Sequence, residues 1–186
     1  MKQALKEWAI AVEALERGET ILLLRKGGIR ETAGRFEVPF QRVLLYPTFE
    51  HQDPNLLKTP NVERVESGWH PKQVNISSIA EITHVLQISD PEIVHALLPF
   101  HIWNERFVEE RLKWKPRSPL YLLLLKVSRL ADPQLIPYRE AYGGCRSWIE
   151  IDEINVDQVT PVLSDKEYLD RVEQIQSLIF RSQTIA

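Results

Sequence analysis

Two uninterrupted apolar runs, far apart in the chain, constrain its fold more than any other feature. Residues 21–24 read ILLL and residues 122–125 read LLLL, and they lie inside longer strand-like segments at 21–26 and 120–130. Successive side chains of a strand point to opposite faces of its sheet, so a strand that is apolar throughout is buried on both faces. Each run therefore predicts a central strand of a covered sheet.

The rest of the chain predicts a mixture of helices and short strands. Residues 2–17 carry apolar side chains at helical spacing and end at Gly18, so they predict an amphipathic helix. Asp132 and Pro133 are expected to end strand 120–130. Further strands are predicted at 43–46, 74–76, 79–88 and 147–151, a short edge piece at 36–40, and helices at about 91–98, at 101–113 and after a capping box of Ser164 and Glu167.

Helices and strands do not follow each other as a regular βαβ series. The sequence therefore predicts the α+β class, with a small mixed, partly closed sheet or barrel flanked by helices and a C-terminal helix. Residues 1–152 are expected to form the main domain, and residues 153–186, an acidic segment and the last helix, to pack on the same domain.

Composition excludes several classes of protein. The 186-residue chain has a net charge of -3, which gives no general attraction to nucleic acid or acidic membranes. One cysteine, Cys145, excludes an internal disulfide and a cysteine-based zinc cluster. Acidic residues interrupt the N-terminal segment, so it is not a signal peptide, and the longest apolar run, 120–125, is too short to span a bilayer. A cytoplasmic protein without membrane contacts is expected.

A basic segment at 25–42 is the first candidate site. Arginine side chains beside Gly27 and Gly28 suit phosphate, because guanidinium groups and backbone amides can bind one oxyanion together. The segment contains neither a GxxxxGK[ST] nor a GxGxxG motif, and solvated charges at a hairpin end explain it equally well. Its bases are Arg25, Lys26, Arg30, Arg35 and Arg42, and its acids are Glu31 and Glu37.

Glu50, His51 and Gln52 follow strand 43–46 and form the second candidate. A carboxylate next to an imidazole could perform acid–base chemistry or bind a metal. Adjacent strand residues point to opposite faces, however, so Glu50 and His51 converge only where the backbone bends. We therefore favour structural hydrogen bonding over catalysis for these residues.

Aromatic rings alternate with polar and basic side chains in two further segments. In 101–117, rings and cations suit a surface for a single nucleic-acid strand or a flipped base, although amphipathic packing explains some of the rings equally well. In 138–148, Cys145 lies between Gly144 and Arg146, where an inert buried thiol is favoured over a nucleophile. The first segment contains His101, Trp103, Asn104, Arg106, Arg111, Trp114, Lys115 and Arg117.

Four segments, in order, resemble an uncharacterised bacterial family defined by a domain of unknown function, DUF1802. They read RKGGIRE, LYPTFEHQ, FVEERLKWKPRSPLYLLLLKVSRL and YGGCRSWIEI, and the resemblance covers roughly residues 3–152. It implies no activity, although some members of the family lie beside restriction-modification components. The segment LKEWAIAVEALERGETILLLR also resembles the start of PUA-like barrels, including the ASCH and EVE groups. That resemblance implies a barrel that binds RNA or modified bases in a cleft.

Three functional hypotheses follow. The first is a domain that binds RNA, DNA or a nucleotide without catalysis, cofactor or metal. The second is a metal-dependent hydrolase or nuclease that uses Glu37, Glu50 and His51. The third is an interaction module that docks protein partners through its acidic tail and loop 47–72. In the first, phosphate contacts come from Arg25, Lys26, Arg30, Arg35 and Lys115, base contacts from Tyr46, His51, Trp103 or Trp114, and Arg146 belongs to the same site.

A geometric expectation links these segments. Loop 47–72 is long enough to fold back over the sheet, so His51 and residues 143–148 are expected in one cleft with at least one of Arg25, Arg30 or Arg35. If strands 21–26 and 43–46 pair antiparallel, the commoner arrangement, Arg25 and Tyr46 lie at opposite ends of the sheet. Parallel pairing would place both on one side.

Overall fold

The structure is a computed structural model that describes most of the chain. It covers residues 1–26, 31–32, 35–36, 38–59, 61–64, 71–114, 116, 119–144 and 146–183, with the backbone alone at 31–32, 35–36, 64 and 181–183. The turn predicted at Gly27 and Gly28 lies outside the described residues. So do Arg30, Glu37, Lys115, Arg117 and Cys145.

The described residues form nine strands and four α-helices. The strands are β1 (Gln3–Trp8), β2 (Leu22–Arg25), β3 (Glu31–Thr32), β4 (Arg35–Phe36), β5 (Arg42–Thr48), β6 (Gln73–Ile88), β7 (Leu120–Pro137), β8 (Trp148–Glu150) and β9 (Val159–Pro161). The helices are α1 (Ala9–Glu16), α2 (Pro91–Ala96), α3 (Glu105–Lys113) and α4 (Asp165–Gln183). Short 3-10 turns lie at Pro54–Leu56, Asn61–Arg64, Leu98–Phe100 and Glu140–Tyr142. No helix in the described part of the chain combines the length and hydropathy needed to cross a membrane.

The main sheet is mixed and strongly curled. Its strand order is β2-β7-β6-β5-β1-β8, with β9 paired to β7, whereas β3 pairs with β4 in a separate ribbon. β1 runs parallel to β5, and the other pairs are antiparallel. The sheet curls far enough for β2, the first strand in this order, to contact β1, the fifth. The contact is a hydrogen bond of 2.7 Å from the Arg25 guanidinium of β2 to the Lys6 carbonyl of β1. The predicted α+β class, with a mixed, partly closed sheet and a C-terminal helix, is confirmed.

The long β6–β7 pair forms the centre of this sheet. The central position predicted for 120–130 is confirmed, since β7 lies between β2 and β6. The strand end predicted at Asp132 and Pro133 is wrong, because β7 continues to Pro137. Ile76 pairs with Gln134 and Ser78 with Arg129, so residues 130–133 face Ser77 alone in a bulge. Within a bulge a proline does not have to donate a ladder hydrogen bond. The strands predicted at 74–76 and 79–88 are likewise one continuous strand, β6.

The central position predicted for 21–26 is wrong. β2 lies at the end of the described strand order and pairs with β7 alone. It is therefore not a neighbour of β5, and β7 and β6 separate Arg25 from Tyr46 in the sheet order. Leu22 and Leu23 are nevertheless fully buried in the larger core cluster. An apolar run indicates that both faces of a strand are buried, but it does not indicate the position of the strand in the sheet. In a curled sheet an end strand can be buried as completely as a central strand.

Residues 2–17 form a strand followed by a short helix, so the single helix predicted there is wrong in its first half. β1 lies between β5 and β8, and Lys6 and Glu7 within it are buried. The Gln52 side-chain oxygen accepts from the Ile10 N–H at 3.0 Å and so caps the start of α1. The predicted end is confirmed, because Gly18 follows α1 with φ +68°.

Buried residues form two clusters, one on each face of the sheet. Along β5, Val43 and Leu45 belong to the larger cluster and Leu44 and Tyr46 to the smaller, as strand alternation requires. Helices α1 to α4 contribute to the larger cluster, and β8 and the segment around Tyr142 to the smaller. The helix predicted from residue 101 begins at Glu105, because the Asn104 side chain caps it by accepting from the Phe107 N–H at 3.2 Å.

Candidate functional site

A small cavity with a cationic lining lies between the ends of β1 and β2 and helix α3. Its volume is about 40 Å³. Among the described residues of its lining, three side chains are cations, Arg25, Lys26 and Arg111, and one is a carboxylate, Glu7. Three positive charges against one negative charge give these described residues a formal charge of +2. A partly buried excess of positive charge favours an anionic group in this cavity.

Two buried donors at this cavity lack an acceptor among the described residues. Arg25 forms an ion pair with Glu7 at 3.1 Å and donates to the Lys6 carbonyl, but its Nε atom has no hydrogen-bond partner. The indole N–H of Trp103, a side chain only 2% exposed, has none either. Buried N–H groups normally meet an acceptor. Both donors belong to side chains that line the cavity.

Burial and mutual repulsion act on the other two cations. Burial is the main cause that lowers the pKa of Lys26, and the nearby Arg111 lowers it further. Burial also lowers the pKa of Arg111, with Glu7 opposing this effect and Arg25 adding to it. A negatively charged group in the cavity would relieve this repulsion and favour the charged form of both side chains.

Helix α3 and its preceding loop hold the aromatic wall of the cavity. Trp103 stacks on Phe107 with ring centroids 4.8 Å apart, and Trp8 meets Phe107 edge-on at 6.2 Å. Arg111, one helical turn past Phe107, lies over the same ring at 4.9 Å. The side-chain amide of Asn104 donates to the Asn55 carbonyl at 2.8 Å, which ties the start of α3 to the loop after β5. The wall is therefore rigidly supported.

A second polar cluster, separate from the cavity, surrounds Glu50. The Lys6 ammonium donates to Glu50 at 2.8 Å, to the Tyr142 carbonyl at 3.0 Å and to the Gly144 carbonyl. The other Glu50 oxygen accepts from the Gly144 N–H at 3.1 Å. The three Lys6 donors and both Glu50 oxygens thus have partners, which is typical of a buried ion pair with a structural role. It holds the segment around Gly144 against β1 and β5.

The side chains of Glu50, His51 and Gln52 do not converge, although they lie in a turn after β5 and not in a strand. Glu50 and Gln52 are buried, whereas His51 is exposed and has a left-handed backbone with φ +58°. Glu50 and Gln52 form the structural hydrogen bonds described above. Across the described residues, no group of three or more His, Cys, Asp or Glu side chains could hold a metal ion. Glu37, the third residue of the metal hypothesis, lies outside them.

The remaining predicted site residues lie in different surroundings. Tyr46 is buried in the smaller core cluster edge-on to Tyr142, and burial, followed by its tyrosine and Glu50 neighbours, raises its pKa. Arg146 is exposed and donates to the Ala141 carbonyl at 3.4 Å. Trp114 ends α3 and keeps 45% of its surface exposed. Of the predicted binding residues, the cavity therefore brings together Arg25, Lys26 and Trp103.

The single cleft expected from the sequence contains His51, residues 143–148 and at least one of Arg25, Arg30 or Arg35. Neither His51 nor any residue of 143–148 is among the described residues that line the cationic cavity. It is Glu50 that meets the Gly144 backbone. The side chains of Arg30 and Arg35 lie outside the described part, so their share of the cleft stays a prediction.

Sequence reasoning missed Lys6, Glu7 and the role of Arg111. Lys6 and Glu7 are adjacent charges between apolar residues, and neither strand nor helix periodicity marks such a pair as buried. For Arg111, the sequence does contain a pattern that predicts its position. It lies four residues after Phe107, a spacing that places a guanidinium over a ring on one helix face.

The comparisons with known proteins give one family and one group of solved structures. The model of a domain of unknown function (DUF1802) matches residues 4–174. The crystal structure of an ASCH protein from Zymomonas mobilis is 14% identical, has a TM-score of 0.45, and the match covers 92% of this chain and 93% of that chain. A point mutant of that protein is 12% identical, also with a TM-score of 0.45, over 92% of this chain and 96% of that chain. No curated protein matches the chain.

Proposed function

This chain belongs to the DUF1802 family of domains of unknown function, and we propose that it binds a nucleotide or a nucleic-acid strand through the cationic cavity. One observation carries the proposal: among the described residues, three cations and a single carboxylate line a cavity, and two of its lining side chains, Arg25 and Trp103, each carry a buried N–H group without an acceptor. A phosphate group supplies both the negative charge and the acceptor oxygens that this lining lacks.

The cations that would bind phosphate are already held in place by protein contacts. Glu7 and the Lys6 carbonyl hold the Arg25 guanidinium. Lys26 donates to the Leu112 carbonyl at 3.1 Å, and Arg111 lies over the Phe107 ring. Side chains held in this way lose little conformational entropy when a ligand binds, so this arrangement favours affinity.

An exposed ring at the end of α3 favours nucleotides over other phosphate compounds. Trp114 follows Arg111 by three residues at the end of α3, and 45% of its surface is exposed. A base of the ligand would stack on this ring while its phosphate enters the cavity, as in proteins that bind single strands. Trp103, in contrast, is buried and contributes its N–H group.

Salt dependence of binding is the first test. The chain as a whole carries a charge of -3, so counterion release on binding comes from the cations that contact phosphate and not from a general attraction. Fluorescence anisotropy with labelled single-stranded RNA and DNA should give a slope of about -0.7 per bound phosphate in log K against log salt. We expect a slope that corresponds to one or two bound phosphates. Absence of binding to RNA, DNA and mononucleotides at low salt would overturn the proposal.

A matched pair of arginine variants on α3 locates the site. Arg111→Met removes a cation from the cavity, and affinity should fall roughly tenfold to a hundredfold, the effect of losing a charged hydrogen bond. Arg106 lies on the same helix, pairs with Glu110 at 2.9 Å and does not line the cavity. Arg106→Met should change affinity less than twofold. Arg111→Lys keeps the charge and should retain part of the affinity. Equal affinity of folded Arg111→Met and the unaltered protein would exclude this cavity.

A further inference from the structure

We infer that the cationic cavity takes a terminal phosphate, the monoester at a strand end or on a mononucleotide, and not an internal phosphodiester. This inference rests on the proposed nucleotide or nucleic-acid binding and specifies which part of the ligand enters the cavity. Three properties of the cavity support it, namely its size, its charge and the hydrogen-bonding character of its lining.

The size of the cavity favours a phosphate that is connected to the rest of its ligand through one ester bond. A volume of about 40 Å³ accommodates roughly three water-sized groups. A phosphate monoester presents three peripheral oxygens, and only one ester bond connects it to the part of the ligand outside the cavity. An internal phosphodiester presents two such oxygens, and the strand must continue from both of its ester bonds. The aromatic side chains of Trp8, Trp103 and Phe107 occupy part of the wall, which restricts a second exit for the strand.

Charge favours a monoester as well. The described residues of the lining carry a formal charge of +2, from Arg25, Lys26 and Arg111 against Glu7. A phosphate monoester carries a charge of about -1.5 to -2 at neutral pH, because its second pKa is about 6. A phosphodiester carries only one negative charge. The monoester therefore neutralises the cavity more completely, and its affinity should rise as pH increases through about 6.

The hydrogen-bonding groups of the lining favour a ligand that only accepts. Among the described residues, Arg25 Nε and the Trp103 indole N–H are donors without a partner, and Lys26 and Arg111 add further donors. Glu7, the one acceptor side chain in the described part of the lining, already accepts from Arg25 at 3.1 Å and from the Trp8 N–H at 2.8 Å. A dianionic phosphate offers acceptors alone, which matches this set.

The test compares three labelled oligonucleotides of one sequence, with a 5′ phosphate, a 3′ phosphate or hydroxyls at both ends. One phosphorylated form should bind at least tenfold more tightly than the hydroxyl-ended form. Arg111→Met should abolish this preference, and Arg106→Met should preserve it. Inorganic phosphate should compete with the phosphorylated oligonucleotide. Thermal unfolding of each variant establishes that it is folded.

The outcomes separate this inference from the proposed function. Equal affinities for the three oligonucleotides, all lowered by Arg111→Met, would overturn terminal-phosphate recognition and leave nucleic-acid binding supported. Tight binding of a mononucleotide monophosphate, with no binding of its nucleoside, supports the inference for a free nucleotide in place of a strand end. Binding of inorganic phosphate with neither oligonucleotide nor mononucleotide binding would overturn both.

Discussion

The Lys6 ammonium lies 2.8 Å from the Glu50 carboxylate, and the two side chains are only 5% and 8% exposed. Lys6 belongs to β1 and Glu50 follows β5, the one parallel pair of the described sheet. The same two side chains bind the backbone of Gly144 on both its N–H and its carbonyl. One buried ion pair therefore joins three distant parts of the chain.

Breaking this pair should strongly destabilise the protein. In Lys6→Met, Glu50 keeps a buried charge without its cation, and the free energy of unfolding should fall by about 3–5 kcal/mol. Urea denaturation measures the change. Lys113→Met, which breaks the exposed pair of Lys113 and Glu109, should cost less than about 1 kcal/mol. The double variant Lys6→Met/Glu50→Leu should regain much of the loss. Equal stability of Lys6→Met and Lys113→Met would show that the pair is not buried in solution.

Removing the side chain that caps α1 should weaken this helix. Gln52→Ala leaves the Ile10 N–H without its acceptor, and the expected loss is about 1 kcal/mol, typical of a helix cap. Chemical denaturation measures it. The control is Gln87→Ala, at an exposed position of β6, which should change stability by less than about 0.5 kcal/mol. Similar values for the two variants would contradict the capping role.

Two buried tyrosines should respond oppositely to loss of their hydroxyl groups. Among the described residues the Tyr46 hydroxyl is buried without a partner, so Tyr46→Phe should leave stability unchanged or raise it by up to about 1 kcal/mol. The Tyr168 hydroxyl bonds to Thr83, so Tyr168→Phe should lower stability by about 1 kcal/mol. Thermal unfolding compares the two. A larger loss for Tyr46→Phe would indicate that its hydroxyl has a partner.

His101 should make stability depend on pH. Burial, with the nearby Lys58 ammonium, lowers the pKa of His101 to about 3. In the unfolded chain the imidazole takes up a proton near pH 6.5, whereas the folded protein resists protonation until about pH 3. Stability is therefore lost as pH falls from about 6.5 towards 3, by up to about 1.4 kcal/mol per pH unit.

His101→Phe isolates this effect. Between about pH 4 and 6 its unfolding free energy should fall less steeply with decreasing pH, by about one proton, as read from urea denaturation at each pH. His51→Phe alters an exposed histidine and should keep the slope of the unaltered protein. Parallel pH profiles for His101→Phe and the unaltered protein would place the acid sensitivity elsewhere.

The features that were predicted correctly from the sequence depend on residues that are close together along the chain. The capping box is present, with Ser164 Oγ donating to Glu167 at 2.6 Å and the Glu167 N–H donating to Ser164 Oγ at 3.3 Å. Gly18 takes the left-handed conformation past α1. The apolar run at 122–125 is a buried central strand. These outcomes follow from side-chain chemistry within a few positions, so one sequence was enough to predict them, together with the α+β class.

Tertiary structure alone decided which part of 2–17 is helical and which charges meet. Helix propensities differ by only tenths of a kcal/mol per residue, whereas burying one large apolar side chain contributes about 1.5–3 kcal/mol. Pairing of residues 3–8 with β5 and β8 therefore outweighed their helical spacing. The partners of Glu7, namely Arg25 and Arg111, are remote in sequence. No local pattern encodes such a meeting, because it exists only once the sheet has curled and α3 has packed beside it.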